Sequence, residues 1–369
     1  MALTAMDRWW EAFCGPDGSS LEPRSPPSGA NMRVPGAEQT HVAGRLVFDA
    51  GLERDGSAFT PGRAIWTAAV ADDLHHRFVE APELGADRFV DKLRRQLAGA
   101  PHETLQFAAE VVYLYLLSPN EVSGATKRRL LDSVLAIGSE RVPLLPELDA
   151  ALDGGFARAG TAYQTQRDRQ IAWLVRLIQA WKGLPPDRQR EALDDPWVFR
   201  DAADAVPIGS AYSQRNALLH LAFPDTFESI VSRRHKKAIV AAFADDVLDP
   251  TGDEDRALLA LRGELERQTG GPITFYQGDL ERRWRGSEPE LRGWLVRGAN
   301  VHGKNLVPTW LAVGYCSLAY PGLGPLDPGL SRPQIDVRLA EELPDLSVRQ
   351  RSIHVGVLDR FLNQMQPVM

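Results

Sequence analysis

The residues that come nearest to a chemical signature are Gly298-Ala-Asn-Val-His-Gly303-Lys304, a GxxxxGK run between an apolar segment and a helical one. In a P-loop that spacing lets backbone amides cradle phosphates, the lysine reach the terminal phosphate and a following hydroxyl hold magnesium. Asn305 stands where the hydroxyl is needed, and no later apolar strand ends in a carboxylate to complete a metal site. The run therefore reads as a strand-to-helix connection. Neither binding nor hydrolysis of ATP or GTP is expected, and Lys304→Ala is the variant that tests this.

Two cationic clusters are better candidates for contact with a polyanion. Ser232-Arg-Arg-His-Lys-Lys237 opens a helical pattern that continues through Ile239, Val240 and Phe243. Cations in a first helical turn oppose the macrodipole, so this cluster is unfavourable unless an anion offsets it. Phosphate is one such anion, and a neighbouring carboxylate (Asp225, Glu228, Asp245 or Asp246) is the other. The second cluster, Glu281-Arg-Arg-Trp-Arg285, sets an aromatic among guanidiniums, the composition that stacks on an unpaired base while contacting the backbone. The candidate nucleic-acid-binding set is thus Arg233, Arg234, Lys236, Lys237, Arg282, Arg283, Trp284 and Arg285. The competing reading is a solvated face with Trp284 inside.

Acid-base or nucleophilic catalysis finds no coherent set. His75, His76, His220, His235, His302 and His354 are scattered, and neither G-x-S-x-G nor H-E-x-x-H occurs. Pro224, Asp225 and Glu228 suggest a nuclease carboxylate set, but Ser229 and Ile230 follow where E-x-K is required. No catalytic residue, cofactor or metal is expected, and an unrecognised enzyme is left as a remote third reading.

Composition bounds the rest. The 369 residues exceed the commonest domain size, with 44% hydrophobic and 25% charged residues, so a folded chain of more than one unit is expected. The net charge of −7 excludes a basic coat protein while allowing local basic patches, built here from 36 Arg and only 6 Lys. Two cysteines, Cys14 and Cys316, are too few for a disulfide framework or a cysteine-based zinc site. No apolar run approaches the ~18 residues of a membrane span, and Met1 to Asp7 lacks the basic and apolar regions of a signal peptide. A cytoplasmic protein with no membrane partner is the expectation.

Positioning these clusters requires a scaffold, and its pattern is mainly α. Residues 1–68 read as a lead-in, with a flexible Pro/Gly/Ser-rich insertion over 15–44 and a small hairpin or irregular piece between Leu46 and Trp66. Residues 69–285 read as an all-helical domain. Leu105, Ala108, Ala109, Val112, Tyr115 and Leu116 recur at three and four, as do Ile171, Leu174, Val175 and Ile178. Residues 290–369 read as a small α/β unit. Its expected strands are Trp294 to Arg297 and Tyr315 to Tyr320, and its two late helices begin in S-x-x-Q capping boxes at Ser331 and Ser347. Two strands do not make a stable sheet, so this unit reads as incomplete and the chain as truncated from a longer one.

Three stretches carry a resemblance. Gly56-Ser-Ala-Phe-Thr-Pro-Gly-Arg-Ala-Ile-Trp66, Asn216 through Lys237, and Trp294 through Pro308 resemble runs in the N-terminal regions of bacterial McrB-type proteins, AAA-family GTPases or ATPases of modification-dependent restriction systems. The resemblance implies that the helical region precedes a PUA- or EVE-like recognition module, whose opening the Trp294 to Met365 stretch resembles, and then a motor or nuclease. It carries no catalytic residue onto this chain. The expectation is a non-catalytic DNA-contacting or assembly module of an anti-phage defence protein, with DNA and a AAA motor or nuclease subunit as partners; the alternative is a protein-interaction scaffold that binds no nucleic acid.

Overall fold

The computed structural model describes residues 34–85, 87–140, 142–244, 252–286, 304–313, 318, 320, 322–327 and 329–364. It divides into two compact units, Met1–Glu288 and Pro289–Met369. Among the described residues the fold is mainly helical and holds no strand; Pro119 and Ala157 form an isolated bridge.

The first unit is built around α4 (His102–Leu117), which follows α1 (Glu38–Val47), α2 (Ala68–Leu74) and α3 (Phe89–Gln96). Thirteen of the 16 residues of α4 are buried. A helix apolar on every side must be surrounded, so this segment forms the centre of the bundle. It packs directly against α1, α2, α5 (Gly124–Leu135) and α8 (Arg167–Lys182), and α6 (Pro146–Ala151), α7 (Gly160–Thr165), α9 (Pro186–Asp194), α10 (Pro196–Asp204) and α11 (Tyr212–Ala222) complete the bundle around these. Edge-on aromatic pairs, Trp66 on Phe107 at 5.1 Å and Phe59 on Tyr113 at 5.3 Å, lock the loop before α2 to α4.

Two expectations for the lead-in are corrected. Residues 38–44 are helical and carry buried Thr40, His41, Ala43 and Gly44, so the flexible insertion does not extend to 44. The stretch from Leu46 is not a hairpin either: α1 runs into a wider π turn over Phe48–Glu53. Gly51 explains the tight packing, because a Cβ there would lie 2.4 Å from the Trp66 ring.

A smaller apolar cluster belongs to α12 (Arg233–Ala242), α13 (Glu254–Thr269) and α14 (Gly278–Gly286), with Ile239, Phe243, Leu258, Leu261, Phe275 and Trp284 at its centre. Gly270, at φ +73°, ends α13 in the left-handed region that glycine enters without steric cost. The first unit thus has a bundle lobe and a three-helix lobe, each with its own apolar cluster.

The second unit contains α15 (Val307–Val313), α16 (Arg332–Glu342) and α17 (Val348–Asp359). Both expected capping boxes form: the backbone N–H groups of Ser331 and Ser347 donate to Gln334 and Gln350 at 2.9 and 3.0 Å. Ile335 and Leu339 of α16 pack with Val355 and Leu358 of α17. The expected strand Trp294 to Arg297 lies outside the described residues. Of the second, Leu318 and Tyr320 are described and are not in a strand.

Candidate nucleic-acid interface

Helical periodicity splits the basic run of α12. Lys236, Ile239 and Phe243 share one face and are buried, whereas Arg233, Arg234 and Lys237 are exposed. Ser232 caps the helix, its Oγ accepting from the His235 N–H at 3.3 Å. The three outward cations differ in their neighbours. The Arg233 guanidinium lies over the Tyr212 ring at 4.5 Å, and Lys237 faces Glu254 at 3.8 Å.

On α14, packed against α12, Arg282, Arg283 and Arg285 are exposed. Arg282 pairs with Asp279. Arg283 donates to the Ala242 carbonyl at 3.1 Å and covers the Phe243 ring at 4.1 Å. Arg285 donates to Glu281 at 2.7 Å and lies over Trp284 at 4.7 Å.

Two members of the sequence set do not reach the surface. Trp284 is fully buried, its Nε1–H donating to the Phe275 carbonyl at 2.6 Å, so no face is open for a base. Lys236 is 2% exposed and its ammonium donates to Asp255 at 2.5 Å. Both side chains are bonded inside the lobe.

Lys236 belongs to a charged seam that the sequence reading did not find. Asp255 also accepts from Arg215 at 2.9 Å, and Arg215 reaches Asp204 at 2.8 Å. Burial pulls the Asp255 carboxyl upward, but Lys236 and Arg215 outweigh it and hold the group below the usual carboxylate range. Around this centre Arg200 pairs with Asp253, and Arg262 with Glu228 and the Asp225 carbonyl. Trp197 lies beneath two guanidiniums, Arg256 at 3.9 Å and Arg200 at 4.8 Å. These contacts join α10 and α11 of the bundle to α12 and α13, so the lobes meet through ions and not through a shared apolar core. The partners foreseen for the basic run, Asp225 and Glu228, serve Arg262, while Asp245 and Asp246 lie outside the described residues. The available signal was Lys236 itself, in register with Ile239 and Phe243 on an inward face.

Two further polar sites are internal. Glu110, fully buried on α4, accepts from Ser57 Oγ at 2.5 Å, Trp66 Nε1 at 2.7 Å and Gln106 Nε2 at 2.9 Å. Burial raises its carboxyl to about 7 against the pull of those donors. His41 and His220 meet at 5.1 Å beside Phe156, and burial lowers them to about 4 and about 3. His220 Nδ1 is bonded to the Phe227 carbonyl at 2.8 Å, which fixes its proton there.

Among the described residues no cluster of His, Cys, Asp and Glu could hold a metal ion, and no helix is long and apolar enough to cross a membrane. Lys304 is described and the rest of the GxxxxGK run is not. Comparison with protein-family models, with curated proteins and with solved structures gives no match.

Proposed function

We propose that this chain is a non-catalytic DNA-contacting or assembly module of a McrB-type, modification-dependent restriction system, working in the cytoplasm with a AAA motor or nuclease subunit. In this reading the second unit is the start of a PUA- or EVE-like α/β module. The observation that carries the DNA contact is the pair of packed helices α12 and α14, which together expose Arg233, Arg234, Lys237, Arg282, Arg283 and Arg285. A chain of net charge −7 that concentrates six exposed cations on two touching helices has a local site for a polyanion. With Trp284 inside, the contact is to backbone phosphate and carries no stacking preference for single strands.

The scaffold reading is favoured by one feature: Asp279, Glu281 and Glu254 already neighbour Arg282, Arg285 and Lys237. Salt titration separates the two. Neutralising about four to six phosphates gives a log–log slope of roughly −4 to −5. The variant R233A/R234A/K237A leaves the buried Lys236–Asp255 pair intact and makes the slope shallower by about 2 to 3. Equal binding by both proteins, or a flat salt response, leaves the scaffold standing.

A further inference from the structure

Residues of both lobes of the first unit line a cleft of about 440 Å3, within the size range of small-molecule sites. The bundle lobe contributes Asn120, Phe156 and Arg158, and the three-helix lobe contributes Tyr276, Gln277 and Arg285. Its lining has three chemical parts.

The first part is aromatic and held in place. Tyr276 is hydrogen-bonded to His235 Nδ1 at 3.1 Å and stands edge-on to Trp284 at 5.7 Å, while Phe156 is fixed between His41 and His220. The second part is cationic. Arg158 is exposed and makes no hydrogen bond or ion pair with any described residue. Across the cleft, Arg285 gives only Nε to Glu281, which leaves its terminal N–H groups open. Two guanidiniums against the single carboxylate of Glu281 leave a positive excess, and the fork geometry of guanidinium suits a phosphate. The third part is neutral and polar: the side-chain amides of Asn120 and Gln277 have no protein partner among the described residues, and each offers both donor and acceptor.

We propose that this cleft binds one nucleoside monophosphate unit, with the base on Tyr276, the phosphate between Arg158 and Arg285, and the amides of Asn120 and Gln277 at the edge of the base. A planar ring needs the aromatic wall, an anion needs the paired guanidiniums, and the volume admits one nucleotide and excludes a stacked pair. The ligand is a free mononucleotide or the terminal nucleotide of a strand, which share this chemistry. The site goes beyond the helix-face reading above, and Arg158 lies outside that face.

Calorimetric titration of the full chain with AMP, GMP, CMP and UMP tests it, beside guanosine, ribose 5-phosphate, inorganic phosphate and a 5′-phosphorylated hexadeoxynucleotide. At least one mononucleotide binds with 1:1 stoichiometry. R158A, which removes no described contact, weakens it at least tenfold, and R169A, on α8 outside the cleft, leaves it unchanged. Tighter binding of the hexanucleotide, with the mononucleotide competing, identifies a strand end; the reverse order identifies the free nucleotide. Absence of mononucleotide binding at millimolar concentration overturns the proposal. So does undiminished affinity in R158A, or inorganic phosphate binding as tightly as every mononucleotide. R233A/R234A/K237A keeps nucleotide binding, so failure of the DNA face and failure of the cleft are read separately.

Discussion

Replacing Asp255 by Asn removes one negative charge from a place where two cations depend on it. Lys236 Nζ stands 2.5 Å from one carboxylate oxygen and Arg215 2.9 Å from the other. At an effective dielectric of about 20, the first distance alone corresponds to roughly 6 to 7 kcal/mol of gross attraction. Most of that is offset by the desolvation already incurred, so the net loss on stranding one buried charge is about 3 to 5 kcal/mol. Arg215 retains Asp204 at 2.8 Å, whereas Lys236, 2% exposed, has no second ion-pair partner among the described residues. The loss should therefore fall mainly on Lys236. In Asp255→Asn the lysine has its folded pKa depressed further, so the unfolded chain binds the proton more readily and stability rises with pH towards about 10. Urea unfolding at neutral pH and near pH 10 reads both effects. Adding Lys236→Met removes the stranded cation and recovers most of the loss. A neutral-pH change under about 1 kcal/mol for Asp255→Asn, or no recovery in the double variant, would refute an ionised, stabilising pair.

Three other outcomes follow from the same geometry. Glu110→Ala strands the donors of Ser57, Trp66 and Gln106 in the bundle core and should cost on the order of 3 to 5 kcal/mol, measured by denaturant unfolding. His41 and His220, lowered to about 4 and about 3, oppose protonation of the folded state. The unfolded chain takes up those protons first, so stability is full above pH ~6.5 and falls by on the order of 3 kcal/mol for each histidine as pH drops to ~4; His220→Phe should roughly halve that loss in pH-dependent melts. Ser347→Ala removes the capping box of α17 and should cost about 1 kcal/mol in the second unit, read as faster amide exchange along that helix.

The helical body was legible because its apolar residues recur at three and four: Leu105 to Leu116 and Ile171 to Ile178 both fall on observed helices. So were the capping boxes, a purely local signal. The start of α1 was not, since Glu38 to Gly44 follows a Pro/Gly/Ser-rich run and its burial depends on distant partners such as Leu221 against Gly44. The outward cations of the candidate interface could be named from composition, but the inward turn of Lys236 depends on Asp255, 19 positions away, and that of Trp284 on Phe275, nine positions away. Periodicity reports which face is apolar; it does not report which charge crosses to that face to meet a partner from another helix. The same limit hid the cleft, whose walls come from Val34 and Pro35, from Asn120 to Arg158 and from Ser229 to Arg285. Two of the stretches singled out in the sequence contain polar anchors: Ser57 and Trp66 on Glu110 in Gly56 to Trp66, and Asn216, His220 and Lys236 in Asn216 to Lys237.

The DNA contact is tested most directly by the salt dependence of duplex binding for the wild-type chain beside R233A/R234A/K237A. The account predicts weak binding with a slope of roughly −4 to −5, shallower by about 2 to 3 in the variant, at unchanged folding. A slope near zero, or identical slopes in the two proteins, would contradict it.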